Sequence, residues 1–339
     1  MRRRLSPKLF AGLALLTFGL VGVSAQAAVA GHSSSPLKGF KLASYIQNDV
    51  SSGKKLNFVY ITNDLASSYT AAQKAGVVKA AKVLGVDATL QGPPTGAAQD
   101  QVNLIQTLVT QQKVDGIVVA AVNVDSLKPV IQAAFSAGIP LISAFTDQPG
   151  SKQLAFIGED NHAFGVYEGK LLAKRLAGKS GKVVLLSVDT AAGWSTARIS
   201  GLQQGLKANP HLTTVGPINT SIEPAQMFNA IQSAMQANSD AIAIASVDCC
   251  SIDGAAKWVQ TNGKTGKIPV IGTDALQQTL NYIKGGQVIF SISQNPVGQV
   301  FDSIQELKAF VTKGTPPKTV ILPPLLVTKS NAATVTPEG

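Results

Sequence analysis

Residues 56–62, LNFVYIT, are the stretch that decides the fold of this chain. The run is short and almost wholly apolar, which is typical of a strand that is covered on both faces. A helical pattern follows at 69–84. Its apolar stripe, at helical spacing, consists of Gly76, Val77, Ala80, Ala81 and Leu84. A strand followed directly by such a helix is the repeating unit of an α/β protein.

The same unit recurs along the chain in two series of five strands. The first series is predicted at 56–62, 86–91, 116–122, 140–145 and 154–158. The second is predicted at 182–188, 213–219, 241–246, 269–273 and 288–293. Helical patterns between them cover 69–84, 97–112, 126–137, 161–177, 195–208, 224–237 and 297–313. Because repeated strand–helix–strand units form parallel sheets with right-handed crossovers, we predict two doubly wound parallel-sheet lobes.

The N-terminus is typical of an export signal. A basic start precedes an apolar run at 9–23, and Ala25-Gln26-Ala27 has the small residues of a cleavage site. The apolar run, about 15 residues, is shorter than the roughly 20 of a spanning helix, so we favour a cleaved signal over a membrane anchor. We expect cleavage near Ala27, export to the periplasm, a flexible lead-in at 28–54 and a flexible tail at 330–339.

The charge pattern does not favour nucleic acid as a partner. The formal net charge is +10, and removal of 1–27 deletes four basic residues and no acidic one, which leaves +6. The remaining lysines are scattered singly, without a basic run. With 14% charged and 45% apolar residues, the chain suits well-buried sheets, and its length suits two lobes.

Polar and aromatic residues follow the predicted strands. Ligands of doubly wound sheets bind beyond the carboxyl ends of the strands, so these residues are the candidate ligand-binding set. The set is Asn63, Ser67, Tyr69, Phe145, Thr146, Asp147, Trp194, Arg198, Asp248, Cys249, Cys250, Asp274 and Gln294. Planar polar groups exchange hydrogen bonds with hydroxyls, and aromatic rings stack on sugar rings, so the set favours a small sugar or polyol. For Asp64 and Asp160, we favour helix capping instead.

From about residue 55 to 329 the chain resembles the periplasmic sugar-binding receptors of ABC importers, of the ribose-binding-protein type. The resemblance rests on a series of short motifs in a fixed order. They are Gly76-x-x-x-Ala80-x-x-x-Leu84-Gly85, Val114-Asp115-Gly116-Ile117, Ala137-Gly138-Ile139-Pro140, Ile157-Gly158-Glu159-Asp160-Asn161, Ala197-Arg198-x-x-Gly201, Ile271-Gly272-Thr273-Asp274 and Ser291-Ile292-Ser293-Gln294.

The resemblance implies two lobes joined by a three-crossover hinge, as in type I periplasmic binding proteins. Lobe one would be 55–158 plus 295–318, and lobe two 159–294 plus 319–329. It also implies sugar contacts for Arg198, Asp274 and Gln294, with Tyr69 as the aromatic residue beside the first loop. The chain departs from the family at Ser67, Phe145-Thr146 and Val247. These departures predict fewer hydrogen bonds than a hexose pocket has, and favour a deoxy sugar, a polyol or a small furanosyl signal.

Cys249 and Cys250 are adjacent and are the two cysteines of the chain. In an oxidising compartment, three interpretations stay open: a pair of buried thiols, a vicinal disulfide, or use in an intermolecular bond or a metal site. The disulfide would be strained, because neighbouring Cα atoms lie about 3.8 Å apart, against about 4.4–6.8 Å in ordinary disulfides. The pair follows Asp248, where a ligand-facing loop is expected. Our hypothesis is therefore a disulfide that forms a rigid apolar plate against the ligand.

The sequence contains no Walker A loop, G-x-S-x-G or H-E-x-x-H motif, and no G-x-G-x-x-G after a strand. We predict no catalytic residue, metal site or cofactor. The expected function is that of a monomeric exported receptor, not an enzyme, that closes its lobes on a small sugar or polyol and delivers it to an ABC importer permease. The alternative is a sensory receptor on the same fold, for chemotaxis or signalling.

Overall fold

A computed structural model describes residues 37–67, 69–335 and 337–338. The predicted export signal lies outside these residues. The first half of the described chain contains α1 (Ser44–Ser51), β1 (Asn57–Ile61), α2 (Thr70–Leu84), β2 (Asp87–Gln91), α3 (Ala98–Gln111), β3 (Gly116–Val119), α4 (Val124–Ser136), β4 (Leu141–Ala144), β5 (Ala155–Gly158) and α5 (Asn161–Arg175). The second half contains β6 (Gly181–Ser187), α6 (Gly193–Leu206), β7 (Leu212–Asn219), α7 (Pro224–Ala237), β8 (Ala241–Ser246), α8 (Cys249–Thr261), β9 (Val270–Thr273), α9 (Gln277–Gly285), β10 (Val288–Ser293), α10 (Pro296–Lys313), β11 (Val320–Ile321) and β12 (Leu325–Thr328).

The strands form two six-stranded sheets, one in each lobe. Their orders are β11-β5-β4-β3-β1-β2 and β12-β10-β9-β8-β6-β7. All pairings are parallel except that of β12 with β10, which is antiparallel. The ten predicted strands are confirmed. Eight of these strands are buried, because helices cover both faces of each sheet, whereas the edge strands β2 and β7 are partly exposed.

The chain passes between the lobes three times. The first crossing follows β5 at Glu159, the second follows β10 at Gln294, and the third joins β11 to β12. The predicted boundary at 319 is wrong, because β11 pairs with β5 in lobe one. Backbone groups make this pairing, and the Leu322 N–H, for example, donates to the Gly158 carbonyl at 2.7 Å. The pattern of side chains in the sequence therefore did not reveal it.

Both ends of the described chain are packed against a lobe, where the sequence predicted flexible segments. In the lead-in, Ile46 of α1 is fully buried in the core of lobe one. The Tyr45 hydroxyl donates to the Val114 carbonyl at 2.7 Å. In the tail, Ala332 lies in the core of lobe two and Glu338 is 5% exposed. The lobes supply the partners that hold these segments in place.

Helices α5 and α6 of lobe two approach unusually closely, and this approach positions the site. A Cβ on Gly165 would lie 2.1 Å from the Arg198 carbonyl, and one on Gly201 would lie 2.0 Å from the His162 carbonyl. Only glycine allows this separation of the two backbones. The first turn of α5 therefore lies directly beside Arg198 of α6.

Candidate functional site

A cavity of about 90 Å³ lies between the lobes, at the carboxyl ends of the strands. A cleft between two lobes is a common position for a small-ligand site. Lobe one contributes Asn63, Asp64, Ser67, Tyr69, Gln73, Ala120, Ala121, Phe145 and Thr146. Lobe two and the second crossing contribute Val188, Trp194, Arg198, Ile222, Asp248, Cys249, Cys250, Asp274 and Gln294.

The structure brings the predicted ligand-binding residues together at this cavity, with one exception. Asp147 does not line the cavity. Its carboxylate accepts hydrogen bonds from the Gln153 side chain, 2.5 Å, and from the Gln148 backbone, 2.8 Å, and it serves the turn after β4. The structure thus places Asp147 in this turn and away from the cavity. A turn residue and a ligand residue look alike in sequence when both follow a strand.

Aromatic residues form two walls of the cavity. In lobe one, the Tyr69 and Phe145 rings meet edge to face, with centroids 5.6 Å apart. Phe145 has a φ of 62°, a strained conformation for a bulky residue, and such strain is characteristic of ligand sites. In lobe two, the Trp194 ring stacks on the Arg198 guanidinium at 5.5 Å. These rings are able to cover the apolar face of a ring-shaped ligand.

The Tyr69 hydroxyl is the polar group most clearly available to a ligand. It is buried and has no hydrogen-bond partner among the described residues. Burial raises the pKa of Tyr69 well above its usual value, so the group is a neutral O–H that can donate or accept. A buried hydroxyl without a partner destabilises the protein, unless a ligand completes its hydrogen bonds.

Arg198 binds residues of lobe two and of the first two crossings. Its Nε donates to Asn161 Oδ1 at 2.6 Å, and Nη1 donates to the Val247 carbonyl at 3.1 Å. Its Nη2 donates to Glu159 Oε1 at 2.6 Å and also to Gln294 Oε1. A guanidinium has five N–H donors, and protein groups take four here. Arg198 lines the cavity as predicted, and two of its four hydrogen bonds, to Glu159 and Gln294, hold the first two crossings together.

Glu159 is the counter-ion of Arg198 at the first crossing. The two side chains are 3% and 4% exposed, so solvent barely screens the ion pair. Gln299 of α10 donates to the other Glu159 oxygen at 2.8 Å and to the Gln294 carbonyl at 2.7 Å. Burial raises the pKa of Glu159 above its usual value even though Arg198 opposes the shift. A buried ionic network thus links lobe two to helix α10 of lobe one.

Asp274 follows β9 and faces the second crossing. It is 2% exposed, and its Oδ1 accepts from Gln294 Nε2 at 2.7 Å. Burial, reinforced by the nearby carboxylate of Glu338, raises the pKa of Asp274 well above its usual value. Gln294 thus donates to Asp274 and accepts from Arg198, and this chain of bonds holds all three side chains at the wall of the cavity.

Asp248 lines the cavity but its carboxylate already has protein partners. It caps α8 by accepting from the backbone N–H of Cys250 and Ser251, at 2.9 and 2.8 Å. The Val188 backbone and the Ser251 hydroxyl also donate to it, each at 3.0 Å. A capping role was not predicted for this residue. The ligand atoms of Asp248, Cys249 and Cys250 lie within 4.8 Å of one another, but a saturated carboxylate is a poor metal ligand.

Cys249 and Cys250 are the first two residues of helix α8. The sequence had predicted a loop at this position. Both line the cavity as thiols, with their Sγ atoms 3.1 Å apart. The contact with Cys250 and burial raise the pKa of Cys249 well above its usual value, so the Cys249 thiol is protonated at neutral pH. The vicinal disulfide stays a prediction.

The two predicted caps differ in outcome. Asp160 caps α5 by accepting from Ala163 N–H at 2.9 Å, which confirms the prediction. Asp64 instead accepts from Ala66 N–H at 2.7 Å within the loop after β1, and it lines the cavity. The cap prediction for Asp64 is wrong, because α2 begins several residues later.

Other lining residues were not predicted from the sequence. Gln73 lies in the first turn of α2 and accepts from the Thr62 hydroxyl at 2.5 Å. Ala120 and Ala121 follow β3, and Ile222 lies in the loop before α7. The two alanines follow a strand, and this position could have identified them as lining residues. Small apolar side chains, however, have no polar group that distinguishes them in the sequence.

Comparison with known proteins places the chain in a family. A family model described as "Periplasmic binding protein domain" matches residues 58–315. The chain belongs to the periplasmic binding protein family. This confirms the resemblance drawn from the sequence, together with the two-lobed α/β fold.

Several relatives and solved structures are similar to the chain. The D-allose-binding periplasmic protein of Escherichia coli (strain K12) is 24% identical over 70% of this chain and 79% of that protein. The xylitol-binding protein of Mycolicibacterium smegmatis is 27% identical over 65% of this chain and 62% of that protein. An ABC transporter solute-binding protein from Agrobacterium vitis, solved with bound D-fucose, is 26% identical at a TM-score of 0.76, over 82% of this chain and 97% of that one.

The family consists of binding proteins, which agrees with the absence of catalytic motifs in the sequence. In the part of the chain that the structure describes, no helix has both the length and the apolar character needed to cross a membrane.

Proposed function

We propose that this protein is an exported receptor that closes its two lobes on one small sugar or polyol. The observation that carries the proposal is the Tyr69 hydroxyl, buried at the cavity without a partner among the described residues, beside aromatic walls from both lobes. Polyhydroxylated ligands fit this chemistry because their hydroxyls both donate and accept, while their C–H faces stack on rings.

The ligands named for relatives support this ligand class. Two relatives are named for D-allose and xylitol, and the Agrobacterium vitis structure contains D-fucose. The last two are a polyol and a deoxy sugar, which are among the classes that the departures from the family pattern favour. Several solved structures with this fold are named ABC transporter solute-binding proteins, so we propose delivery to an ABC importer permease in preference to sensing.

Closure would follow from contacts that one ligand makes with both lobes. Tyr69 and Phe145 belong to lobe one, whereas Trp194 and Asp274 belong to lobe two. A ligand that touches all four binds the closed form better than the open form, and so shifts the population towards closure. The predicted export signal, the periplasmic location and the monomeric state are part of the same proposal.

The proposal is tested by a thermal-shift screen of the mature protein, residues 28–339, against D-allose, D-arabinose, D-fucose and xylitol. A ligand that binds only the folded state adds about 4 kcal/mol at about a thousand times its dissociation constant. We expect a Tm increase of several degrees for at least one compound, confirmed by titration calorimetry with a stoichiometry of one. A flat response to the whole panel, from protein that was unfolded and refolded to remove any ligand carried from the cell, would contradict a sugar or polyol ligand.

A further inference from the structure

The C-terminal arm, defined here by residues 329–335 and 337–338, contacts residues that neighbour the lining of the cavity. It continues from β12, and Ala332 and Val335 pack on the core of lobe two. Glu338 lies close to the end of the chain, yet it is only 5% exposed. Burying an ionisable side chain is unfavourable unless specific partners compensate, so these partners indicate what Glu338 does.

The Glu338 carboxylate joins two segments that both border the cavity. Its Oε2 accepts from the Ala275 N–H at 2.5 Å, and the Glu338 N–H donates back to the Ala275 carbonyl at 3.1 Å. Its Oε1 accepts from the Asn295 N–H at 3.1 Å and from the Ser293 hydroxyl. Ala275 directly follows Asp274, while Ser293 and Asn295 flank Gln294. One carboxylate therefore binds on both sides of the Asp274–Gln294 hydrogen bond.

Both clamped segments contain a residue in the left-handed region. Asp274 has a φ of 77° and Asn295 has a φ of 53°. Such a conformation costs a non-glycine residue of the order of 1–3 kcal/mol, and persists only where surrounding contacts enforce it. The Ala275 and Asn295 amides that Glu338 holds are adjacent to, or part of, these two residues. The Glu338 carboxylate thus binds backbone amides at or beside two residues with strained backbone conformations, and we call these contacts the clamp.

We propose that Glu338 is a positioning residue of the ligand site, through which the C-terminal arm holds Asp274 and the second crossing in their binding geometry. The inference rests on the proposed function in so far as a ligand occupies the cavity. The clamp itself is a property of the unliganded protein, so it can be tested separately.

The charges around Asp274 determine how Glu338 acts on it. Arg198 favours the ionised form of Asp274, whereas Glu338 and Glu159 oppose it. Tyr69 and Cys249 also face this group, and both are neutral at ordinary pH, because their pKa values are raised. Removal of the Glu338 charge therefore lowers the pKa of Asp274. Any ligand affinity that depends on Asp274 ionisation should then change at a lower pH.

The first test measures amide hydrogen exchange of the unliganded protein by NMR, in wild type and Glu338→Ala. We expect the Ala275 amide to exchange about tenfold faster or more in the variant, because it loses a charged acceptor. The matched control is Glu223→Ala, since Glu223 lies exposed on the same lobe and its side chain makes no hydrogen bond in the described structure. If Ala275 exchanges no faster in Glu338→Ala than in the control, the proposal is overturned.

A second variant covers the case in which Glu338→Ala does not fold. Glu338→Gln keeps the shape and one acceptor oxygen, so only one of its two backbone contacts can persist. We expect faster exchange at Ala275 or Asn295, but not at both. The effect at Asn295 should be the smaller one, because that amide also donates to the Ser293 hydroxyl at 3.1 Å. Unchanged exchange at both amides overturns the proposal.

The ligand arm of the test uses D-allose, D-arabinose, D-fucose and xylitol, each titrated across the pH range. For a compound that binds wild type, we expect Glu338→Gln to bind more weakly and to move the pH midpoint of affinity downward. A merely structural role would weaken binding without moving that midpoint, and this result would overturn the electrostatic part of the proposal. If no compound binds wild type while the Ala275 amide still exchanges faster in Glu338→Ala, the clamp stands and the proposed function fails.

Discussion

Replacing Arg198 with alanine should destabilise this protein more than almost any other single change, because Arg198 joins the two crossings. The side chain makes four hydrogen bonds, of which the one to Glu159 is also an ion pair with both ends almost wholly buried. In Arg198→Ala, Glu159 loses its counter-ion. The remaining donor is Gln299, at 2.8 Å.

The expected loss is about 3–5 kcal/mol of unfolding free energy, the range for removing one partner of a buried ion pair. No discount for solvent applies, because the two side chains are 4% and 3% exposed. For a chain of this length, the loss corresponds to a Tm lowered by roughly 5–10 °C. Arg198→Lys should lie between wild type and Arg198→Ala, since an ammonium keeps the charge but cannot span Asn161, Val247 and Glu159 together.

The loss should depend on pH. The pKa of Glu159 in the folded protein is already raised by burial, and Arg198 holds it lower than it would otherwise be. Without Arg198 it rises further. A carboxyl with a raised pKa binds its proton more tightly in the folded state, so stability is lost as pH rises from the unfolded to the folded pKa. The destabilisation by Arg198→Ala should therefore be larger at about pH 7.5 than at about pH 5.

The assay is thermal unfolding by circular dichroism at both pH values, with Arg175→Ala as the matched control, because Arg175 is exposed. The double variant Arg198→Ala/Glu159→Gln removes the stranded charge. It should be more stable than Arg198→Ala alone by about 0.5–3 kcal/mol. The reasoning is refuted if Arg198→Ala is no less stable than Arg175→Ala, or if the added Glu159→Gln change lowers stability further.

Three further predictions concern buried groups of lobe two and the cavity. Tyr69→Phe should leave the Tm unchanged or raise it, because it removes a buried hydroxyl that has no partner among the described residues. The same change should weaken sugar binding, measured by calorimetry, by about 1 kcal/mol. Equal affinity would exclude this hydroxyl from the site. Glu168 is fully buried beside Thr273, and burial raises the pKa of its carboxyl to about 8. Because this carboxyl binds its proton more tightly in the folded protein than in the unfolded chain, the wild type should lose stability as pH rises from about 4.5 to about 8. Glu168→Gln should flatten that decline in pH-dependent unfolding, whereas Glu223→Gln should not, and an unchanged slope would contradict the assignment. The Sγ atoms of Cys249 and Cys250 lie 3.1 Å apart, so a dithiol-specific oxidant should join them in a disulfide. The intact mass of the mature protein should then fall by two hydrogens, and neither cysteine should be alkylated. Alkylation of both cysteines after oxidation would rule out the vicinal disulfide.

Much of the architecture could be predicted from the sequence because burial on both faces of a sheet imposes long apolar runs. Ten strands were located in this way, as were the two lobes. The residues after those strands supplied nearly all of the polar cavity lining, from Asn63 in lobe one to Gln294 at the second crossing. This worked because the carboxyl ends of parallel strands meet at one edge of a sheet, so local position predicts shared location.

The remaining features depend on contacts between distant segments, which no local pattern encodes. The sequence predicted Arg198 as a ligand residue, but only the tertiary structure shows that Glu159, Val247 and Gln294 take most of its donors.

Strand β11 joins lobe one through backbone hydrogen bonds, which are the same for every side chain. Glu338 stands in a short polar tail, and its role becomes visible only where the fold brings Ala275 and Asn295 within reach of one carboxylate. The sequence thus indicated which segments are buried, because burial leaves a local apolar pattern, and which residues line the cavity, because these follow the strands. Tertiary structure alone decided which polar groups bind each other, because hydrogen bonding depends on three-dimensional proximity.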